Sequence, residues 1–148
     1  MTPKIAPTKI APTLITLGVA DVSRATRFYE EMGLRRSSAG NDAVTFFQAG
    51  GVVLALFGRS ALAQDAGVAE EGEGFRALSL AWNVGSETEV DEAYARLVAA
   101  GATPVKTPQK TFWGGYAAYV SDPDGHLWEI AHNPFFPFDP EGRLVLPD

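Results

Sequence analysis

The stretch WGGYAAYVSDPDGHLWEIAHNP, at residues 113–134, sets the organisation of the chain. It contains two runs rich in apolar and aromatic residues, 116–120 and 126–131, and the sequence DPDG at 122–125 separates them. Aspartate, proline and glycine favour tight turns because their backbones adopt turn geometry at low cost. The pattern therefore predicts two strands joined by a turn.

The residues before this stretch complete one structural unit. Residues 77–84 (ALSLAWNV) are typical of a strand, and residues 87–100 place apolar side chains at helical spacing before Gly101. A further strand is predicted at 103–106. The second half of the chain is thus a β-α-β-β-β unit.

The first half repeats this order. Residues 14–19 (LITLGV) predict a strand, Asp21 is a suitable N-cap, and a helix is predicted to follow it and to end at Gly33. Three more strands are predicted at 35–38, 43–49 and 52–57. The halves align without gaps over three pairs of segments: 14–19 with 79–84, 22–33 with 90–101, and 50–57 with 124–131. An internal repeat of this length predicts one pseudo-twofold α+β domain built from two βαβββ modules.

The repeat divides the chain into five segments. The expected segments are an extended arm (1–13) that contains KIAPT twice, a first module (14–58), a linker loop (59–75), a second module (76–133) and a tail (134–148). We expect a short turn at most within the linker, at 60–66. The tail contains Phe135, Phe136 and Phe138, which should pack on the domain or on a partner subunit because such side chains avoid water.

Composition limits the classes of function. The 148 residues include no cysteine, which excludes disulfides and thiolate metal sites, and the net charge of −6 disfavours nucleic acid as a partner. No secretory signal and no apolar window long enough to cross a membrane is found in the sequence, so a cytoplasmic protein without membrane contact is expected.

Alternation along the strands predicts two different sheet faces. Because successive side chains point to opposite sides of a strand, one face collects the larger apolar residues, such as Leu17, Leu56 and Ile130, and should lie under the helices. The other face is smaller and more mixed, as the wall of a ligand cavity would be. The residues expected to line that cavity are Leu14, Thr16, Phe46, Ala55, Phe57, Ser79, Ala81, Asn83, Trp113, Tyr116 and Glu129.

The residues quoted above, together with TLGVADVSRATRFYEEMGL at 16–34, resemble the vicinal oxygen chelate superfamily of glyoxalases, bleomycin resistance proteins and extradiol dioxygenases. The resemblance covers residues 14–134. It implies that the two modules form a half-barrel around a site, and it implies a homodimer.

The resemblance also implies where a metal would be bound. In metal-dependent members the ligands come from four strand positions, which correspond here to Leu14, Ala55, Ser79 and Glu129. Only the Glu129 carboxylate is a good ligand, whereas zinc and iron sites need at least three. His126 is expected to be exposed, and His132 has the opposite parity to Glu129. We therefore expect no resident metal and no other cofactor.

The sequence leaves three functions to consider, of which the first is the prediction and the other two are alternatives to it. The first is a metal-free protein that binds a flat apolar or aromatic small molecule, in which the aromatic loop at 111–116 could stack on the ligand. The second is a glyoxalase- or dioxygenase-like lyase or isomerase with an atypical metal site. The third is a structural or regulatory dimer. Glu129 is the only candidate catalytic residue, as a general base. A structural or ligand-anchoring role is preferred for it, because the strand assignments show no second titratable partner of the kind that acid-base catalysis usually needs.

Overall fold

The computed structural model describes residues 11–146. Residues 11–13, the described end of the predicted arm, are neither helical nor part of a strand. The rest of the arm, and with it most of the KIAPT repeat, lies outside the described residues.

The first module follows the predicted order. Asp21 caps its helix by accepting a hydrogen bond from the Arg24 amide, and Gly33, at a φ of 120°, ends it with a backbone conformation that other residues rarely adopt. Its elements are β1 (Leu14–Val19), α1 (Val22–Met32), β2 (Arg36–Gly40), β3 (Val44–Ala49) and β4 (Val52–Gly58).

The second module has the same order. Its helix is capped by Ser86, whose side chain accepts a hydrogen bond from the Glu89 amide. Its elements are β5 (Ser79–Asn83), α3 (Glu87–Ala99), β6 (Thr103–Lys110), β7 (Tyr116–Ser121) and β8 (Leu127–His132). The prediction of two βαβββ modules in an α+β fold is confirmed.

Each module forms its own four-stranded sheet. The strand orders are β1-β4-β3-β2 and β5-β8-β7-β6, so the first strand of each module pairs in parallel with the last and lies at one edge. The remaining pairs are antiparallel. The repeat seen in the sequence is thus a repeat of topology.

The segment between the modules differs from the prediction. A helix, α2 (Arg59–Ala66), occupies the start of the interval that was expected to be a linker loop with a short turn. The helix packs on β1 and β4, and a Cβ at Gly18 would lie 3.3 Å from the Leu62 side chain. The sequence gives little sign of this helix because its contact with the sheet involves few apolar residues, of which Ala63 alone is buried.

One continuous core joins the two modules on the helix side of both sheets. The larger apolar face predicted from alternation is buried there, including Leu17, Leu56 and Ile130. The core also contains a polar cluster: the Tyr29 hydroxyl donates to Asp122 Oδ2 at 2.6 Å and accepts from the Trp128 indole nitrogen at 3.1 Å. Since Tyr29 lies on α1 and Asp122 opens the DPDG turn, this cluster ties the first module to the second.

The DPDG turn makes further contacts with the start of α1. Asp124 Oδ1 accepts hydrogen bonds from the Ala20 amide and from Arg24, at 2.8 and 3.0 Å, and His126 Nε2 lies 2.8 Å from the Gly18 carbonyl oxygen. His126 is therefore half-buried at the junction, which corrects the expectation that it is exposed. Within residues 11–146, no helix has the length and apolar character needed to span a membrane.

Candidate functional site

The outer face of the second sheet, which faces away from the helices, carries Glu129. Strand register places Ala81, Glu129, Tyr119 and Lys106 side by side across β5, β8, β7 and β6. Opposed residues in adjacent strands have their Cβ atoms about 5 Å apart, so this row forms a continuous strip of surface. We call this face the second outer wall.

Glu129 is half-buried on this wall and accepts a hydrogen bond from the Tyr119 hydroxyl at 3.2 Å. Partial burial and the neighbouring Glu129 carboxylate raise the pKa of Tyr119 above its ordinary value. Tyr119 therefore stays protonated and available as a donor at neutral pH. The pair presents a carboxylate beside Ala81 and a phenol beside Lys106. The Glu129 carboxylate is suited to holding a hydrogen-bond donor or a cationic group of a ligand.

The outer face of the first sheet is more apolar. Register aligns Thr16, Ala55 and Phe46 across β1, β4 and β3. Phe57 shares the face with Phe46, whereas Leu14 lies at the open end of the strand and is 45% exposed. Ala55 is buried at 2% exposure, because a methyl group between larger neighbours is easily covered. We call this face the first outer wall.

These residues do not fit a zinc or iron site. Of the four positions that correspond to family metal ligands, Leu14 and Ala55 end in carbon, Ser79 offers a neutral hydroxyl, and the Glu129 carboxylate is hydrogen-bonded to Tyr119. Metals of this kind prefer three or more imidazole, thiolate or carboxylate ligands. Among residues 11–146, no three His, Cys, Asp or Glu side chains are grouped so that they could hold a metal ion.

The predicted cavity residues are not gathered into one hollow within the single chain. A cavity of about 610 Å³ is lined by Ser79, Ala81 and Asn83 of β5. The other eight predicted residues do not line it; they are Leu14, Thr16, Phe46, Ala55, Phe57, Trp113, Tyr116 and Glu129. Thr16, Ala55, Phe46 and Phe57 belong instead to the first outer wall and Glu129 to the second.

One predicted cavity residue is on the wrong side of its sheet. Tyr116 packs against the core, and its hydroxyl donates to Asp91 of α3 at 2.7 Å, so it faces the helices and not Glu129. Tyr119 is the aromatic residue of β7 that faces the outer wall. Tyr116 follows the aromatic loop directly in the sequence, but alternation along β7 places it on the opposite face from Tyr119.

The aromatic loop folds onto itself and onto the tail. The ring of Trp113 covers Gly115, and Phe135 of the tail covers Gly114, where a Cβ would lie 3.1 Å from the ring. Phe112 is fully exposed. Of the three tail phenylalanines, Phe136 is half-buried, whereas Phe135 is 65% exposed and Phe138 is 38% exposed.

The position of the 610 Å³ cavity was not predicted from the sequence. It opens between the modules and includes residues of the helix-facing side, such as Ile15, Trp82 and Trp128. A sequence signal did exist: Trp82 and Trp128 have the same parity on neighbouring strands, which places both indoles on the helix-facing side of the second sheet.

Comparison with known proteins agrees with this architecture. Residues 10–130 match the family model described as the glyoxalase/bleomycin resistance protein/dioxygenase superfamily. No curated protein matches the sequence.

Solved structures of the same fold are numerous. The chain is 37% identical to a glyoxalase-related enzyme from Fulvimarina pelagi, with a TM-score of 0.83 over 96% of this chain and 100% of the other. It is 27% identical to a glyoxalase/bleomycin resistance protein/dioxygenase from Nocardioides, with a TM-score of 0.73 and 86% of each chain covered. Lactoylglutathione lyase from Agrobacterium tumefaciens shares the fold, with 22% identity and a TM-score of 0.63 over 86% of this chain and 95% of the other.

The family model covers most of the chain, and solved structures matched to this chain share its fold of two βαβββ modules. The resemblance inferred from the DPDG stretch is therefore confirmed. The chain belongs to the glyoxalase/bleomycin resistance protein/dioxygenase superfamily.

Proposed function

We propose that this protein binds a flat, largely apolar small molecule on its outer walls without a resident metal. The observation that carries the proposal is the donor set at the four family ligand positions, where Glu129 is the one strong ligand and is already hydrogen-bonded to Tyr119. A single carboxylate cannot hold a transition metal, but it can anchor a cationic or hydrogen-bond-donating group of an organic ligand.

The surroundings of Glu129 support a ligand with an apolar body. The second outer wall places Ala81 and the Tyr119 ring on either side of the carboxylate. The first outer wall offers Phe46 and Phe57, whose rings are half-buried and able to stack on a planar molecule. A ligand with one cationic group and an aromatic system matches both features.

A second copy of the chain is part of this proposal. Sheet walls that are open to solvent on one side bury little of a bound ligand, whereas ligand sites commonly enclose most of it. Phe112 and Phe135 are exposed beside the second module, and they supply apolar surface that a homodimer would cover. Light scattering coupled to size-exclusion chromatography should give twice the mass of one chain, and the mass of a single chain would contradict this part of the proposal.

The ligand proposal is tested with two planar probes of related shape, 9-aminoacridine, which is cationic at neutral pH, and acridine, which is neutral. Isothermal titration calorimetry should show tighter binding of the cationic probe to the wild type. Glu129→Gln keeps the size of the side chain and removes its charge, so it should reduce that preference by about tenfold, the usual scale for losing a charged hydrogen-bond partner.

Glu92→Gln is the matched control, since Glu92 is exposed on α3 and contributes to neither wall. It should leave both affinities unchanged. Equal affinities of the wild type and Glu129→Gln for 9-aminoacridine, or no binding of either probe, would contradict a ligand site at Glu129.

A metal-dependent lyase or isomerase is the second candidate. It is favoured by the 37% identity to a chain described as a glyoxalase-related enzyme and by the presence of Glu129 at one ligand position. This candidate requires lyase or isomerase activity that appears when Zn²⁺, Ni²⁺, Mn²⁺ or Fe²⁺ is added to the wild type and that is lost in Glu129→Gln. Activity that is independent of Glu129 would count against it.

A further inference from the structure

The 610 Å³ cavity between the modules is separate from the Glu129 carboxylate. Its floor comes from the helix-facing side of both sheets, where Ile15 and Leu54 of the first module meet Trp82 and Trp128 of the second. Its rim is formed by the β3–β4 hairpin and by the end of α1. The volume lies within the range of about 300–1,000 Å³ that is usual for small-molecule sites.

The lining includes two tryptophans, Trp82 and Trp128. Trp82 and Trp128 lie on neighbouring strands, two residues out of direct register, because Trp128 pairs with Leu80 and Trp82 pairs with Ile130. Trp82 is half-buried, whereas Trp128 is 8% exposed and is held in place by the hydrogen bond from its indole to Tyr29. An indole offers stacking surface to a planar ring system.

The charged group in the cavity lining is positive. Among the described residues that line the cavity, Arg96 is the one with a charged side chain, in a chain whose net charge is −6. Within residues 11–146, Arg96 takes part in none of the four salt bridges of the structure. An exposed guanidinium that forms no salt bridge with a described residue, in the lining of a largely apolar cavity, attracts an anion.

Gly33 leaves room for this guanidinium. A Cβ at Gly33 would lie 2.9 Å from Arg96 Nη2, so the missing side chain lets Arg96 lie directly over the end of α1. Gln48, Ser79 and Asn83 add neutral polar groups to the same lining. The edge position of β5 leaves alternate backbone amides without a strand partner, which adds hydrogen-bond donors at the rim.

We propose that this cavity between the modules binds a planar aromatic anion, with its rings against Trp82 and Trp128 and its carboxylate or sulfonate on Arg96. The ligand class is opposite in charge to the one expected at Glu129. The two sites therefore make separate predictions, and this proposal does not rest on the function proposed for the outer walls.

The test uses two fluorescent probes that differ by a single sulfonate: 8-anilinonaphthalene-1-sulfonate and the neutral N-phenyl-1-naphthylamine. The wild type should bind the sulfonate more tightly. Arg96→Gln should weaken sulfonate binding about five- to tenfold and leave the neutral probe within twofold, because the variant removes a charge from a partly exposed site. Salt should weaken the sulfonate complex alone, since ionic screening acts on charged pairs.

Arg27→Gln is the matched control for charge, since Arg27 is an exposed helix residue that does not line this cavity. Trp82→Leu should weaken both probes, and Trp113→Leu, which alters a tryptophan outside the lining, should weaken neither. Thermal melts of the variants check that each of them is folded.

Three results would overturn the proposal. One is sulfonate binding that is the same in Arg96→Gln and in the wild type, which would place the probe elsewhere on the surface. Another is sulfonate binding that is weakened by Glu129→Gln and unchanged by Trp82→Leu, which would place the probe on the outer walls. The absence of sulfonate binding to the wild type would also refute the proposal.

Discussion

The buried hydroxyl of Tyr29 is expected to contribute strongly to stability. Replacing it in Tyr29→Phe keeps the ring, which packs edge-on against Phe28 with centroids 4.9 Å apart and against Trp128 at 6.0 Å. The substitution removes the donor to Asp122 and the acceptor for the Trp128 indole. The change therefore isolates two hydrogen bonds within the core that joins the modules.

The magnitude follows from the two lost bonds. A hydrogen bond to a charged group contributes roughly 1.5–3 kcal/mol and a neutral one roughly 0.5–1.5 kcal/mol. Because Asp122 is 2% exposed, water cannot easily replace the missing donor. We expect Tyr29→Phe to lower the free energy of unfolding by about 2–4 kcal/mol.

Urea denaturation at pH 7, followed by tryptophan fluorescence and by far-ultraviolet circular dichroism, measures this loss. Tyr94→Phe is the control, since Tyr94 is half-buried on α3 and its hydroxyl makes no hydrogen bond to any residue between 11 and 146. Its effect should stay within about 0.5 kcal/mol. A Tyr29→Phe protein that is as stable as the control would refute the role given to this cluster.

Three further predictions concern stability. Burial, and secondarily the Asp122 carboxylate, raise the pKa of Tyr29 far above its ordinary value, so Tyr29 stays protonated in the folded chain whereas it ionises in the unfolded chain above about pH 10. Above that pH, the stability advantage of the wild type over Tyr29→Phe should shrink by about 1.4 kcal/mol per pH unit. A difference in the free energy of unfolding that stays constant in urea titrations from pH 9 to 11 would contradict this prediction. Asp124→Ala removes the acceptor for Ala20 and Arg24 and should cost about 1 kcal/mol in the same denaturation assay, whereas no loss would show that the DPDG turn does not hold α1. Gly33→Ala places a side chain at a φ of 120° and should lower the free energy of unfolding by about 1–3 kcal/mol. Gly50→Ala should lower it less, because Gly50 has a φ of 66° and open space around it. Equal melting temperatures of the two variants would argue against this difference in strain.

Much of the fold was predictable because both modules carry strong local patterns. Residues 14–19 were predicted as a strand and form β1 with the same bounds. Alternation identified the buried face correctly, as Leu17 and Ile130 show. Glycine and aspartate marked the ends and caps of α1, since these residues act through local backbone geometry.

The features that could not be predicted from the sequence depend on contacts between residues that are far apart in the chain. Helix α2 has a weak apolar pattern and is positioned by the sheet beneath it. His126 looked exposed beside a turn, but the turn docks on Gly18 of the other module. Tyr116 and Tyr119 are three residues apart, and only strand register separates the one that faces α3 from the one that faces Glu129.

The chemical groups of the candidate site were easier to predict from the sequence than its three-dimensional shape. The sequence correctly placed Glu129 and Ala81 on one face of the second sheet, where register makes them neighbours. It did not reveal that Ser79, Ala81 and Asn83 also border a cavity between the modules, because that cavity forms where the edge of β5 meets the first module. The arrangement of two modules is a property of tertiary packing, which local patterns do not encode.

The metal content of the purified protein tests the central claim most directly. Elemental analysis of wild-type protein and Glu129→Gln, both purified without chelator, should give zinc, iron, nickel and manganese contents far below one ion per chain in both proteins. One ion per chain in the wild type that is lost in Glu129→Gln would contradict the proposal that Leu14, Ala55, Ser79 and Glu129 no longer form a metal site.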